Sequence, residues 1–140
     1  MLIHDDIFSW EGFGGKLRLA NGKCRLKIFD LSKGSGKGLA HIRPLIVIVS
    51  DIPDSGMSVR SCSSHIATMV TKEFGMDPNR ILFIEYYPST SYGENKENVI
   101  PERYEAIDFT WYQDKALEPK YRKLTSPMLE TVKELNERPQ

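Results

Sequence analysis

The clearest pattern in the chain runs from Leu45 to Tyr87, where apolar and polar positions change period twice. Leu45–Ser50 (LIVIVS) is a continuous run of β-formers bounded by Pro44 and Pro53, the signature of a strand buried on both faces. From Val59 to Phe74 the apolar residues Val59, Cys62, Ile66, Met69, Val70 and Phe74 recur at helical spacing, which predicts an amphipathic helix with one buried stripe. Ser58 is placed to cap that helix through its hydroxyl. Gly75 is placed to end it in a left-handed conformation. Asp77-Pro78-Asn79 then turns the chain into a second apolar strand, Ile81–Tyr87. The unit is strand–helix–strand, and its two strands can be parallel through a right-handed crossover or antiparallel.

Outside this unit the signals are shorter. Lys16–Ala20 and Lys23–Phe29 both alternate, with Cys24, Leu26 and Ile28 on one face and Lys23, Arg25 and Lys27 on the other. The intervening Asn21-Gly22 suits a type I′ turn, so a β-hairpin is predicted. Residues 1–15 are mixed, with Ile7, Phe8, Trp10 and Phe13 available for packing and Gly12, Gly14 and Gly15 as a turn-rich exit. Tyr104–Tyr112 alternates as a further strand. Ser126, followed by Pro127 at the first helical position, opens a short C-terminal helix with Met128, Leu129, Val132 and Leu135 on its apolar face. Flexible loops are expected near 32–41, 89–101 and 114–124. The expected fold is α+β: a mixed, mostly antiparallel sheet of about five strands, a central amphipathic helix packed on one face, and a short C-terminal helix.

Composition narrows the setting. At 140 residues the chain is read as a single domain, 1–140, with an ordinary 40% hydrophobic and 27% charged content. No apolar run approaches the roughly 20 residues that span a bilayer, and the N-terminus has adjacent acids rather than the basic region of a signal peptide. A cytoplasmic location and no membrane partner are the expectation. Cys24 and Cys62 form no CxxC or Cys/His cluster, so two reduced, mostly buried thiols are expected and no metal or cofactor.

Charge changes the picture more. The formal net charge is zero, yet Lys16–Arg43 holds eight Lys/Arg against the single acid Asp30, while Pro44–Glu118 holds twelve acids against six bases. A segregation of +7 against −6 suits contact with a polyanion, or with the acidic surface of another copy or protein. Lys16, Arg18, Lys23, Arg25, Lys27, Lys37 and Arg43 are therefore the first candidate site. Its expected function is that of a small binding or regulatory protein meeting an acidic protein or nucleic acid through its basic N-terminal hairpin. Alternating Lys/Arg also simply protects an edge strand, and no aromatic residue interleaves these cations to stack on bases.

The second candidate is the strand-to-helix turn with Asp51, Asp54, Ser55 and Ser58, together with His65. Ligands of open α/β sheets bind beyond the carboxyl ends of strands, where a helix N-terminus favours anions. This supports the alternative of a small enzyme or ligand-binding protein. The same residue types are ordinary turn and capping residues. Ser58 and His65 lie roughly 10 Å apart along a helix axis at 1.5 Å per residue, too far for a nucleophile–base pair. Asp51 and Asp54 lack a third ligand for a divalent cation.

Two further motifs fade on inspection. Lys33–Gly38 (KGSGKG) has Leu31 where a phosphate-binding loop needs its first glycine and Gly38 where it needs Ser/Thr, and a strand follows it. The aromatic–acidic group Glu85, Tyr86, Tyr87, Tyr92, Tyr104, Trp111 and Tyr112 suits either an interface or the boundary of a sheet.

Overall fold

The computed structural model describes residues 1–14, 18–32, 43–53, 55–113 and 116–138, without the side chains of 12–20 and 116. The main sheet has six strands: β1 (Leu2–Gly14), β2 (Arg18–Asp30), β3 (Leu45–Asp51), β4 (Ile81–Tyr87), β7 (Arg103–Tyr112) and β8 (Ala116–Arg122). Their spatial order is β1-β2-β3-β4-β7-β8. A small separate hairpin joins β5 (Thr90–Tyr92) to β6 (Asn98–Ile100). Only β3 and β4 are parallel in the main sheet, pairing Leu45 with Ile81 and Ser50 with Tyr86; the other neighbours are antiparallel. The fold is thus mixed α+β and mostly antiparallel, with eight described strands rather than about five.

The two helices lie on opposite faces of this sheet. α1 (Ser63–Phe74) is the crossover from β3 to β4, and its Ile66, Ala67 and Val70 pack with Leu26, Val47, Val49, Phe83 and Phe109. α2 (Ser126–Glu137) covers the other face, where Val132 and Leu135 meet Phe29, Ile46, Ile48, Leu82 and Ile84. β3 therefore has no solvent face, which explains its uninterrupted apolar run. Burial of each such side chain contributes about 1.5–3 kcal/mol. The α1 stripe is buried at Val59, Cys62, Ile66 and Val70, while Met69 is half-buried and Phe74 exposed.

The ends of α1 follow the sequence closely. Gly75 sits at φ 57°, its N–H bonded to the Lys72 carbonyl and that of Met76 to the Thr71 carbonyl. Ser58 does accept from the Arg60 N–H at 3.3 Å, but it caps a single 3₁₀ turn, Val59–Ser61, that precedes α1. α2 begins one residue earlier than expected, with Thr125 rather than Ser126 in the capping position and without a side-chain cap bond.

Three local expectations are overturned. Asn21-Gly22 is no turn: β2 runs straight through it, opposite Glu11 and Trp10 of β1. Gly22 serves packing, because a Cβ there would lie 2.4 Å from the Trp10 indole. The expected loop at 114–124 contains β8, whose Pro119 is tolerated because β8 is an edge strand. The expected loop at 89–101 contains the β5–β6 hairpin. Of the loop at 32–41, residues 33–41 lie outside the described residues.

Candidate functional site

Because β3 and β4 are parallel, their carboxyl ends emerge on one edge of the sheet. The polar residues that the core excludes collect there, in two groups, one on each face.

On the α2 face a groove of about 380 Å³ is lined by Ile7, Arg25, Lys27, Ser50, Asp51, Ile52, Tyr86, Pro88, Asn136 and Glu137. Ser50 ends β3 on this face and is only 8% exposed. Arg25 and Lys27 come from β2, opposite Ser50 and Ile48. Arg25 makes a two-pronged bond to Asp5, Nε to Oδ1 at 2.7 Å and Nη2 to Oδ2 at 2.9 Å. That guanidinium holds the Asp5 carboxyl below its ordinary range. Lys27 Nζ donates to the Asn136 carbonyl at 3.1 Å, at the C-terminal end of α2 where a cation suits the helix dipole. The Asn136 amide in turn donates to the Tyr104 hydroxyl at 3.1 Å. Tyr86 closes the floor, its ring 4.6 Å from Tyr104 and its hydroxyl bonded to Glu102 at 2.9 Å; burial, then Glu102, pushes its ionisation up.

On the α1 face the centre is Glu85, 1% exposed in an otherwise apolar strand. Its Oε2 accepts from the hydroxyls of Tyr121, at 2.7 Å, and Ser63; its Oε1 accepts from Tyr87 at 2.7 Å and lies 3.9 Å from Arg60 Nε. A buried carboxylate with three hydroxyl donors and a guanidinium is fully solvated by protein. Glu105 lies directly opposite Glu85 across the β4–β7 ladder. Like charges in that position repel, and Arg60 bridges them, binding Glu105 closely as well. Arg60 also lies over Tyr121, 4.2 Å from the ring centre, and Arg103 lies over Tyr87 at 4.1 Å. Burial, then the bond to Glu85, pushes the Tyr87 hydroxyl up to about 12, so it stays a donor to Glu85 Oε1 well above neutral pH.

The residues singled out in the sequence divide accordingly. Arg25, Lys27 and Asp51 converge on the α2-face groove. Arg43 does not join them. It sits at the opposite end of β3, donating to the Ile81 carbonyl at 2.9 Å and pairing with Asp108 at 3.3 Å. Lys23 is exposed on β2 opposite Ser9. Lys16, Lys37 and Asp54 lie outside the described residues, as does the side chain of Arg18. In the turn, Asp51, Ser55 and Ser58 line a shallow 270 Å³ concavity with Ile52, Gly56 and Met57. Their polar atoms serve the turn: Asp51 Oδ1 accepts from the Val59 N–H at 3.3 Å, and Ser55 Oγ donates to the Met57 carbonyl at 3.0 Å. His65 is exposed, its ring centre 6.3 Å from that of Phe8. Cys62 is buried with its thiol donating to the Val59 carbonyl at 3.4 Å; the neighbouring Cys24 thiol, then burial, pushes its ionisation up, which suits an inert core residue. Among the described residues, no group of three or more His, Cys, Asp or Glu could hold a metal ion, and no helix is long and apolar enough to cross a membrane.

The sequence pattern puts Glu85 and Tyr87 in the aromatic–acidic group but does not join Arg60, Ser63, Glu105 or Tyr121 to them. The one signal of the cluster itself is the lone acid in ILFIEYY, at a strand position that shares the buried face with Ile81 and Phe83. No protein-family model, curated protein or solved structure matches the chain.

Proposed function

We propose that this is a small ligand-binding protein whose binding site is the groove at the carboxyl end of the parallel β3–β4 pair. One observation carries the reading. Arg25 and Lys27, drawn from the basic strand, and Asp51, drawn from the strand-to-helix turn, line a single groove beside the buried Ser50. Two stretches that stand apart in sequence thus meet where ligands of parallel sheets bind. The volume of about 380 Å³ falls within the range of small-molecule sites. Both signs of charge line it, Arg25 and Lys27 against Glu137 and against Asp51, whose Oδ1 also accepts from the Val59 N–H. The ligand class that this suits is a small zwitterion, such as an amino acid, with its carboxylate toward the cations and its ammonium toward the acids.

A thermal-shift screen of amino acids, with simple carboxylates and simple amines beside them, tests the reading. A ligand at about 100 times its Kd adds about 2.7 kcal/mol to stability, a readily measured rise in Tm. Zwitterions should give the largest rise, and Arg25→Glu should abolish it. Saturable binding by none of the three classes, or binding that survives Arg25→Glu unchanged, would overturn the proposal.

A second reading retains the basic strand as a contact for an acidic protein or nucleic acid. Lys23 supports it, being exposed with no ion pair among the described residues. On this reading, Gln at Lys16, Lys23 and Lys37 together removes retention on an oligonucleotide or an acidic matrix at low salt. A second copy, offering its acidic surface, would show itself as a salt-sensitive dimer.

A further inference from the structure

The α1-face cluster offers a site separate from the groove. Arg60 and Arg103 bracket one carboxylate: Arg60 Nη2 contacts Glu105 Oε2, and Arg103 Nε lies 3.8 Å from Glu105 Oε1. Each guanidinium rests on a tyrosine ring, so one face of each is desolvated and its orientation is set before any ligand arrives. Both side chains are still about half exposed, at 51% and 55%. Among the described residues the Arg103 side chain makes no hydrogen bond, only the 3.8 Å approach of its Nε to Glu105, so the donors of its planar fork can turn to an oxyanion. The adjoining cavity, about 380 Å³, is lined by Arg103, Tyr104, Glu105, Tyr121, Arg122, Lys123 and Leu124; Arg122 there is paired with Asp108 at 2.9 Å, which leaves Arg103 and Lys123 against Glu105.

We propose that Arg60 and Arg103 form a binding site for an oxyanion, a phosphate or carboxylate group, whose place Glu105 holds in the unliganded protein. The incoming group accepts from both guanidiniums while Glu105 turns toward solvent. Arg60 keeps its second anion, Glu85, behind it throughout, so the ligand does not strand a buried charge.

The probes are inorganic phosphate and citrate, each titrated at low ionic strength while the backbone amide resonances of Arg60, Glu105 and Tyr121 are followed by NMR. The expected result is saturable shifts at these residues with at least one probe. Comparison of the two probes tells a phosphate site from a carboxylate site. Arg103→Gln should weaken binding at least tenfold. Glu105→Gln should strengthen it at least fivefold by removing the internal competitor. Glu118→Gln, which removes one exposed acid from the other side of β8's strand run, should change affinity less than twofold. All three positions are at least partly exposed, and the amide spectrum of each variant reports whether it is folded. The proposal is overturned if both probes fail to saturate, if Arg103→Gln binds as the wild type does, or if Glu105→Gln has no more effect than Glu118→Gln. None of these outcomes bears on the groove across the sheet.

Discussion

Arg60 and Arg25 each hold a carboxylate at the same edge of the same sheet, yet their settings differ in kind. Arg25 meets Asp5 across two neighbouring strands at the surface, with water on both partners. Arg60 meets two carboxylates, one of them Glu85 at 1% exposure and already bonded to three hydroxyls. The first arrangement leaves an ion pair that a ligand can remodel at little cost. The second is divided: its buried Glu85 anchors the start of α1 to the sheet, since Ser63 is the first residue of that helix and also a donor to Glu85, while its Glu105 is partly exposed and open to exchange. The difference shows why burial, rather than the number of ion pairs, separates a structural charge from an available one.

The largest test of this contrast is Glu85→Ala. It leaves the half-buried Tyr87 and Tyr121 hydroxyls without their acceptor and Ser63 with the Val59 carbonyl alone, at 2.9 Å, and each hydroxyl so orphaned costs about 1–3 kcal/mol. A loss of about 3 kcal/mol or more in denaturant unfolding is expected, with Glu85→Gln losing less because its carbonyl still accepts. A loss below about 1 kcal/mol for Glu85→Ala would put Glu85 in the same class as Asp5 and erase the distinction.

Arg60→Ala comes next. Without the bridge, Glu85 and Glu105 face each other across the ladder, and a loss of about 1–3 kcal/mol is expected, less than for a fully buried pair because water reaches Arg60. Adding Glu105→Gln to Arg60→Ala should recover part of that loss, since only one charge then remains. The double-mutant cycle measures the coupling directly; strict additivity would show that Arg60 does not bridge the two acids.

Much of this architecture was legible in the chain. Leu45–Ser50 and the Val59–Phe74 stripe announced themselves because the period of a pattern is a local property. So did Gly75, whose φ of 57° only a few residue types accept readily. The failures are non-local. Asn21-Gly22 has strong turn propensity, but pairing with the long β1 and the Trp10 indole lying over Gly22 hold it extended. Pro119 disguised β8 because proline is excluded only from strands with neighbours on both sides. The Glu85 cluster draws Arg60, Ser63, Tyr87, Glu105 and Tyr121 from five separate elements, and spacing cannot reveal such a meeting. The groove was partly visible: Arg25, Lys27 and Asp51 stand out in the chain, but in two different candidate sites, and Asn136 and Glu137 carry no local signal.

Ionisation of the tyrosines sharpens the contrast at high pH. Tyr87 is held neutral, with burial first and Glu85 second, so it titrates at about 12 rather than its ordinary 10. Between these values the unfolded chain loses a proton that the folded chain keeps. Stability is therefore full below about pH 10 and falls as pH rises through the folded value. Tyrosinate absorbance should show a late step near 12 that Tyr87→Phe removes, and Tyr87→Phe should flatten the alkaline fall in Tm. A Tyr87 that titrated at its ordinary value would mean that the cluster is open to water.

The smallest effect is expected at the other arginine. Asp5 has its ionisation lowered by Arg25, so the pair stabilises the fold above the ordinary carboxylate range and loses that contribution as pH falls through the lowered value. Both partners are partly exposed, and such a pair contributes only about 0.2–1 kcal/mol. Asp5→Asn should therefore cost no more than that, and the cost should vanish in about 1 M salt, where screening acts within about 3 Å. The same substitution frees the Arg25 guanidinium, which lines the groove, and should tighten the binding of a carboxylate-bearing ligand there. A substitution with almost no effect on folding and a clear gain in binding would separate the available charge from the structural one. An equal fall in both would place the Arg25–Asp5 pair in the structural class of Glu85.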